Sequence, residues 1–301
     1  MSWMKRIFLF LLTNIAVIAL VSIVLSVFNV APYLSSSGLN YTSLLIFSAL
    51  FGFSGAFVSL FLSKWMAKRA FSMQIIDQPK TDEEQFLFSV VSRLAQQSSL
   101  RVPEIGIYDS PEANAFATGW NKNKALVAVS SGLLSTLSRD EVEGVLGHEI
   151  SHIANGDMVT LTLIQGVVNT FVIFFARIAA YGVQTFLSRD EEDEGMSSIA
   201  YHITAMVFEV LFGIFASIIV MSFSRHREFR ADAGSAHLLG KEKMIKALEK
   251  LDLLKDSVKG ENRGKAFSAM KISDKPSPFF ALFSSHPPLK KRIEVLRSGR
   301  S

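Results

Sequence analysis

The stretch Ser138-Arg139-Asp140-Glu141-Val142-Glu143-Gly144-Val145-Leu146-Gly147-His148-Glu149-Ile150-Ser151-His152-Ile153-Ala154-Asn155-Gly156 reads as a single helix with a start, a face and a stop. Ser138 followed three residues later by Glu141 is a capping box. Val142, Val145, Leu146, Ile150 and Ile153 recur at helical spacing, and Asn155-Gly156 ends the run. Four residues make about one helical turn, so His148 and His152 leave the same face and can reach one metal ion. Glu149 stands beside them, placed to take a proton from a water molecule near that ion. A catalytic zinc site needs three protein ligands and an open fourth position. The chain has no cysteine, so every ligand must be a histidine or a carboxylate.

The best source of a third ligand is Ser224-Arg225-His226-Arg227-Glu228-Phe229-Arg230-Ala231-Asp232. Glu228 and Asp232 are spaced i and i+4, on one helix face. Glu228 is expected to bind the metal, and Asp232 to accept a hydrogen bond from a ligand histidine and fix its tautomer. Upstream, Thr81 to Glu84 is a second capping box, opening a helix through about Gln97. Val102 to Tyr108 and Ala125 to Val129 read as strands, the latter a place where an extended peptide could pair. Asn114 is expected in a turn before it.

Outward from this region the text becomes apolar. The chain is 49% hydrophobic with 25 Phe and a mean hydropathy of +0.31. Four runs are long enough for transmembrane helices, about Ile7 to Phe28, Leu44 to Leu62, Met158 to Phe175 and Ile203 to Phe223. The first is read as a retained span, being longer than a signal-peptide core and lacking a clean cleavage site. Basic residues flank one side: Lys5 and Arg6, then Lys64, Lys68 and Arg69, then Arg225, Arg227 and Arg230. By the positive-inside rule both termini and the stretch 64–157 face the cytoplasm. Four segments follow: an N-terminal transmembrane hairpin (1–66), a first part of a cytoplasmic domain (67–157), a second transmembrane hairpin (158–223) and a second part of that domain (224–301). Arg177 and Glu209 lie within or near the spans, where a mutual ion pair is the expected arrangement. The polar stretches 186–198 and 255–276 read as loops. The net charge of +4 is spent on the flanks of apolar runs and does not point to nucleic acid.

Taken together, the paired spans, Asn114-Ala115-Phe116-Ala117-Thr118-Gly119, His148-Glu149-x-x-His152, Arg227-Glu228-Phe229-Arg230-Ala231-Asp232 and the late His286-Pro287-Pro288 resemble the HtpX family of membrane zinc metalloproteases, relatives of the type 1 CAAX prenyl proteases. The resemblance implies a mainly α membrane protein of four transmembrane helices with a cytoplasmic zincin-like α+β metalloprotease domain. It implies one zinc ion per chain on His148, His152 and Glu228, with Glu149 as base. It further implies proteolytic quality control of membrane proteins in the bacterial inner membrane under stress, alongside other quality-control proteases. Asn114 is a candidate to hold substrate, and His286, Arg292 or His226 to stabilise the oxyanion. Selective processing of one defined tail, a non-catalytic scaffold with structural zinc, and transport through Arg177 and Glu209 are the alternative readings.

Overall fold

The computed structural model describes residues 40–187, 194–260, 282 and 284–299. The expected first span lies outside the described residues, as do 188–193 and 261–276 of the two expected loops. Three helices are long and apolar enough to cross a membrane, and they contain the other three expected spans: Tyr41–Ala70, Asp157–Phe186 and Ile199–Leu239. As elements they are α1 (Tyr41–Ala70), α5 (Asp157–Leu187) and α6 (Glu194–Leu239). Glu228 and Asp232 therefore do not start a new helix after the apolar run. No Gly or Pro interrupts the sequence from Phe223 to Asp232, and α6 continues through it.

Contacts divide the described residues into two compact units, those up to Val58 with those in Thr162–Val220, and Ser59–Leu161 with those from Met221 onward. In the first, α1 and α5 approach through small residues. A Cβ added at Gly52 would stand 2.7 Å from the Thr170 backbone nitrogen, and one at Gly166 would meet the Phe53 ring at 2.3 Å. Phe174 is fully buried among Leu45, Phe171 and Ile178. Arg177 and Glu209 pair at 3.8 Å, as expected, and the Arg177 guanidinium also lies 4.9 Å over the Phe47 ring.

The second unit carries the remaining elements: β1 (Gln74–Ile75), α2 (Asp82–Gln97), β2 (Glu104–Tyr108), β3 (Ala115–Thr118), β4 (Leu126–Ser130), α3 (Ser131–Thr136), α4 (Arg139–Asn155), α7 (Lys241–Gly260) and α8 (Leu289–Ser298). Lys255 to Gly260, expected in a loop, thus belongs to a helix. Both capping boxes form: the backbone N–H groups of Glu84 and Glu141 donate to the hydroxyls of Thr81 and Ser138, and each Glu side chain accepts from its own cap residue in return. Gly156 closes α4 in the left-handed conformation at φ 66° and ψ 38°.

The strand order is β1-β2-β4-β3, with β2 and β4 parallel and β3 antiparallel to β4. This corrects one expectation. β4 has a strand on either side and every residue buried, so it has no edge to offer an extended peptide. Among the described residues the edge next to β4 belongs to β3, which begins directly after Asn114, and the other edge to the two-residue β1. Leu87, Val91 and Leu94 of α2, Val127 and Val129 of β4, and Leu146, Ile150 and Ile153 of α4 share one core. α7 adds Ala247 to this core and packs against α4 at Gly144, where an added Cβ would stand 2.6 Å from the Lys243 carbonyl oxygen. Gly144→Ala must push one backbone off the other, and overpacking of this kind costs about 1–3 kcal/mol. The expected outcome is a lower thermal midpoint; an unchanged one would mean that α7 yields freely.

Candidate metal centre and active site

A crossing of small residues brings α4 and α6 together. A Cβ on Gly147 would lie 2.6 Å from Ser235 Oγ, and one on Gly234 would lie 2.5 Å from Ser151 Oγ. Ser235 Oγ donates to the Gly144 carbonyl at 2.8 Å, fixing the register of the two helices. Their polar side chains meet beside this crossing.

His148 and His152 converge with their Nε2 atoms 3.1 Å apart. Glu228 completes a triangle, with Oε2 3.5 Å from His148 Nε2 and Oε1 3.3 Å from His152 Nε2. Among the described residues these three form the group that could hold a metal ion. Two ligand atoms about 2.0–2.1 Å from a tetrahedral ion are about 3.3 Å apart, so the three separations suit such an ion without rearrangement.

Each imidazole is tied from behind. His148 Nδ1 is 2.9 Å from Asp232 Oδ1, and His152 Nδ1 is 2.7 Å from Asp157 Oδ2. A proton on Nδ1 facing a carboxylate leaves the Nε2 lone pair for the inner triangle. Each carboxylate is in turn held by an arginine. Arg292 of α8 forks onto Asp232, with Nε 2.8 Å from Oδ2 and one terminal nitrogen 2.6 Å from Oδ1. Its other terminal nitrogen stands 3.4 Å from Glu228 Oε2. Arg230 donates to Asp157 Oδ1 at 2.7 Å, and Arg227 donates to the Asp157 backbone carbonyl at 3.3 Å. Two His–Asp–Arg chains therefore run outward from the centre.

The electrostatics follow from this enclosure. Burial pulls the His152 pKa down, but hydrogen bonds to Asp157 and Glu228 outweigh it and leave it at about 9. His148 is shifted the same way, burial opposing and Asp232 and Glu228 prevailing. Arg292 is raised above its usual value, burial being outweighed by Asp232. A metal ion entering this cluster displaces protons that the carboxylates favour, so uptake weakens as pH falls. Glu149 is buried on α4 next to His148.

The other candidates are placed differently. His286 is mostly exposed and has Nδ1 2.8 Å from Glu228 Oε2, the carboxylate oxygen that also faces His148. Arg292 is buried, with its fork taken up by Asp232. His226 is exposed and bonds through Nδ1 to the Ser222 carbonyl, one turn back on its own helix. Asn114 is exposed at the head of β3, where its backbone N–H donates to Ser130 Oγ and its carbonyl accepts from the Ser130 N–H. Asp157 and Arg230 are additions that the sequence reading did not single out for the site. The signal was present: an acid at the head of an apolar run is expensive unless paired, and two arginines flank Glu228.

The description "Peptidase family M48" matches residues 81–300. Protease HtpX of Tolumonas auensis is 57% identical over 298 residues, covering 99% of this chain and 100% of that protein. Protease HtpX of Yersinia enterocolitica is 52% identical over 299 residues, covering 98% and 99%. The crystal structure of S. mikatae Ste24p superposes with a TM-score of 0.61 at 20% identity, over 92% of this chain and 66% of that one, and so shares the fold. With a family match over most of the chain and relatives this similar along their whole length, the chain belongs to peptidase family M48, as a metalloprotease similar to the HtpX proteases.

Proposed function

We propose that this chain is a zinc endopeptidase of the bacterial inner membrane that cleaves misfolded or damaged membrane proteins at the cytoplasmic face. The observation that carries the reading is the triangle of His148, His152 and Glu228, with both imidazoles anchored by carboxylates. Two nitrogens and one carboxylate, with no sulfur, suit zinc in a site that keeps a position open. A zinc ion held there supplies Lewis acidity, polarising the scissile carbonyl and making water nucleophilic near neutral pH.

The chain's own residues do the rest. Glu149 accepts a proton from the attacking water as the water oxygen bonds to the peptide carbon, then delivers it to the nitrogen as the carbon–nitrogen bond breaks. Asp232 and Asp157 keep the Nδ1 protons of His148 and His152 in place, and Arg292 and Arg230 keep those carboxylates in place. His286, exposed beside Glu228, is the group best placed to meet developing charge on the carbonyl oxygen. The free edge of β3 pairs with an extended stretch of substrate through backbone hydrogen bonds, which tolerates many sequences; Asn114 stands at its start.

In the membrane, the run Ile7 to Phe28 and the three apolar helices make four spans. The basic flanks put both termini and the protease part, 67–157 and 224–301, in the cytoplasm, joined by hairpins 1–66 and 158–223.

Asp157→Ala is expected to lower zinc affinity about 10–100-fold, read by competition with a chelator. Asp157→Asn keeps an acceptor for Nδ1 and should recover part of the loss; unchanged affinity in the Ala variant would remove Asp157 from the site. Substrate class is tested by offering the reconstituted full chain a multi-pass protein in folded and destabilised forms. Preferential cleavage of the destabilised form is expected. If both forms and a panel of unrelated unfolded proteins are ignored, the selective processing of a defined tail replaces this reading.

A further inference from the structure

The last turns of α1 alternate aromatic and basic side chains: Phe61, Lys64, Trp65, Lys68 and Arg69, with Phe71 just beyond. Phe61 is 64% exposed and Trp65 59%, far more than large aromatics tolerate against water without a reason. The turn between β3 and β4 folds onto this stretch. The Trp120 ring stacks on Phe61 with centroids 5.1 Å apart, and Lys124 Nζ stands 5.2 Å over Trp120. The Arg69 guanidinium sits 5.6 Å over Trp65, repeating the same pairing. Lys64 and Lys68 both engage Glu104, at 2.6 and 2.5 Å. Glu104 is thus taken up by two of the four cations, and Arg69 and Lys124, set against the tryptophans, leave the cluster positive. The turn is held to one shape by Gly119 at φ 136°, where a Cβ would lie 2.8 Å from the Lys124 carbonyl oxygen.

Tryptophan with its apolar body and polar edge, beside lysine or arginine, is the chemistry of the bilayer headgroup layer. On α1 this is expected, since Trp65 follows an apolar run by three residues. Trp120 is 58 residues beyond Leu62 along the chain, yet it is folded onto the same patch. We infer that the β3–β4 turn is a second membrane contact, with Trp120 and Lys124 seated among the headgroups of anionic phospholipids. The inference rests on the reading of α1 as a span. It gives β3 a purpose beyond pairing: the edge strand ends at Thr118, at the lipid surface, where a chain leaving the bilayer meets it first.

The chain has three tryptophans, Trp3, Trp65 and Trp120, which allows a direct test. Full-length Trp3→Phe/Trp65→Phe retains Trp120 alone, and Trp3→Phe/Trp120→Phe retains Trp65 alone. Both are reconstituted in phosphatidylcholine vesicles with increasing phosphatidylglycerol, using lipids brominated high on the acyl chain. The expected result is a loss of Trp120 emission comparable to that of Trp65, growing with phosphatidylglycerol and reduced by Lys124→Glu. Quenching of Trp65 without Trp120 overturns the second contact and leaves α1 as a span. Quenching of neither overturns both. Quenching of Trp120 indifferent to lipid charge and to Lys124→Glu overturns the anionic headgroup as the partner. Trp120 shielded from bromine and from aqueous iodide alike overturns it in favour of a protein surface.

Discussion

Glu149→Gln is expected to keep its full metal content and to lose peptide cleavage by about 10²–10⁴-fold, the usual worth of a positioned general base. The separation of the two properties is what makes the prediction sharp. Glu149 is not a corner of the donor triangle, so its amide replacement leaves His148, His152 and Glu228 untouched. The amide has nearly the same volume as the carboxylate, and α4 should accept it without repacking. What it lacks is a lone pair basic enough to take a proton from water. The loss should fall on kcat, with KM little changed, because the proton moves in the transition state and substrate binding elsewhere does not depend on it. Metal content by elemental analysis beside steady-state cleavage of a fluorogenic unfolded substrate reads both. Normal metal with normal turnover would remove Glu149 from the mechanism.

Arg292→Ala is expected to destabilise the second unit by about 3–5 kcal/mol, the range for breaking a buried ion pair by removing one partner. Asp232 is 1% exposed and Glu228 2%, so neither carboxylate can turn to water for compensation. Arg292 alone gives Asp232 two hydrogen bonds and approaches Glu228 at 3.4 Å. Removing it strands negative charge in the interior. Metal should soften the effect, because a divalent ion in the triangle supplies positive charge to the same carboxylates. The metal-free variant is therefore expected to melt further below its parent than the metal-loaded variant does. Arg292→Lys retains charge without the fork and should fall between. Equal melting of Arg292→Ala and parent in chelator would mean that α8 is not part of the centre's support.

These two residues also mark how far the sequence could be read. Glu149 was legible because His148 and His152 fix a helix face by spacing alone, and the capping box at Ser138 and the stop at Gly156 fix the helix. Local chemistry of this kind is written within a few residues, as are the apolar strands β2 and β4 and the long apolar helices. Arg292 is 60 residues from Asp232 and 144 from His148, and no local pattern links them. Read alone, it was a basic residue on a short amphipathic helix with an exposed role open to it; burial behind the ligands is a property of the tertiary fold. Asp157 was hidden for a related reason: it stands where an apolar run begins, and its value depends on Arg230, which is 73 residues away. β3 was missed because Ala-Phe-Ala-Thr is short and only half-buried, a weak strand signal that pairing with β4 completes. The approach of α4 to α6 was carried by Gly147, Ser151, Gly234 and Ser235, four small residues whose meaning appears only when both helices are seen together.

The most direct test of the account is a zinc titration of the detergent-purified full chain after chelator has stripped it, with cleavage of an unfolded protein followed at each step. Cleavage should be absent at the start, rise in proportion to bound zinc and reach its plateau at one ion per chain, whereas Glu228→Ala should neither hold the ion tightly nor recover activity. Full cleavage by the stripped protein, or by Glu228→Ala at the same bound-metal level as its parent, would contradict the assignment of His148, His152 and Glu228 as the metal centre.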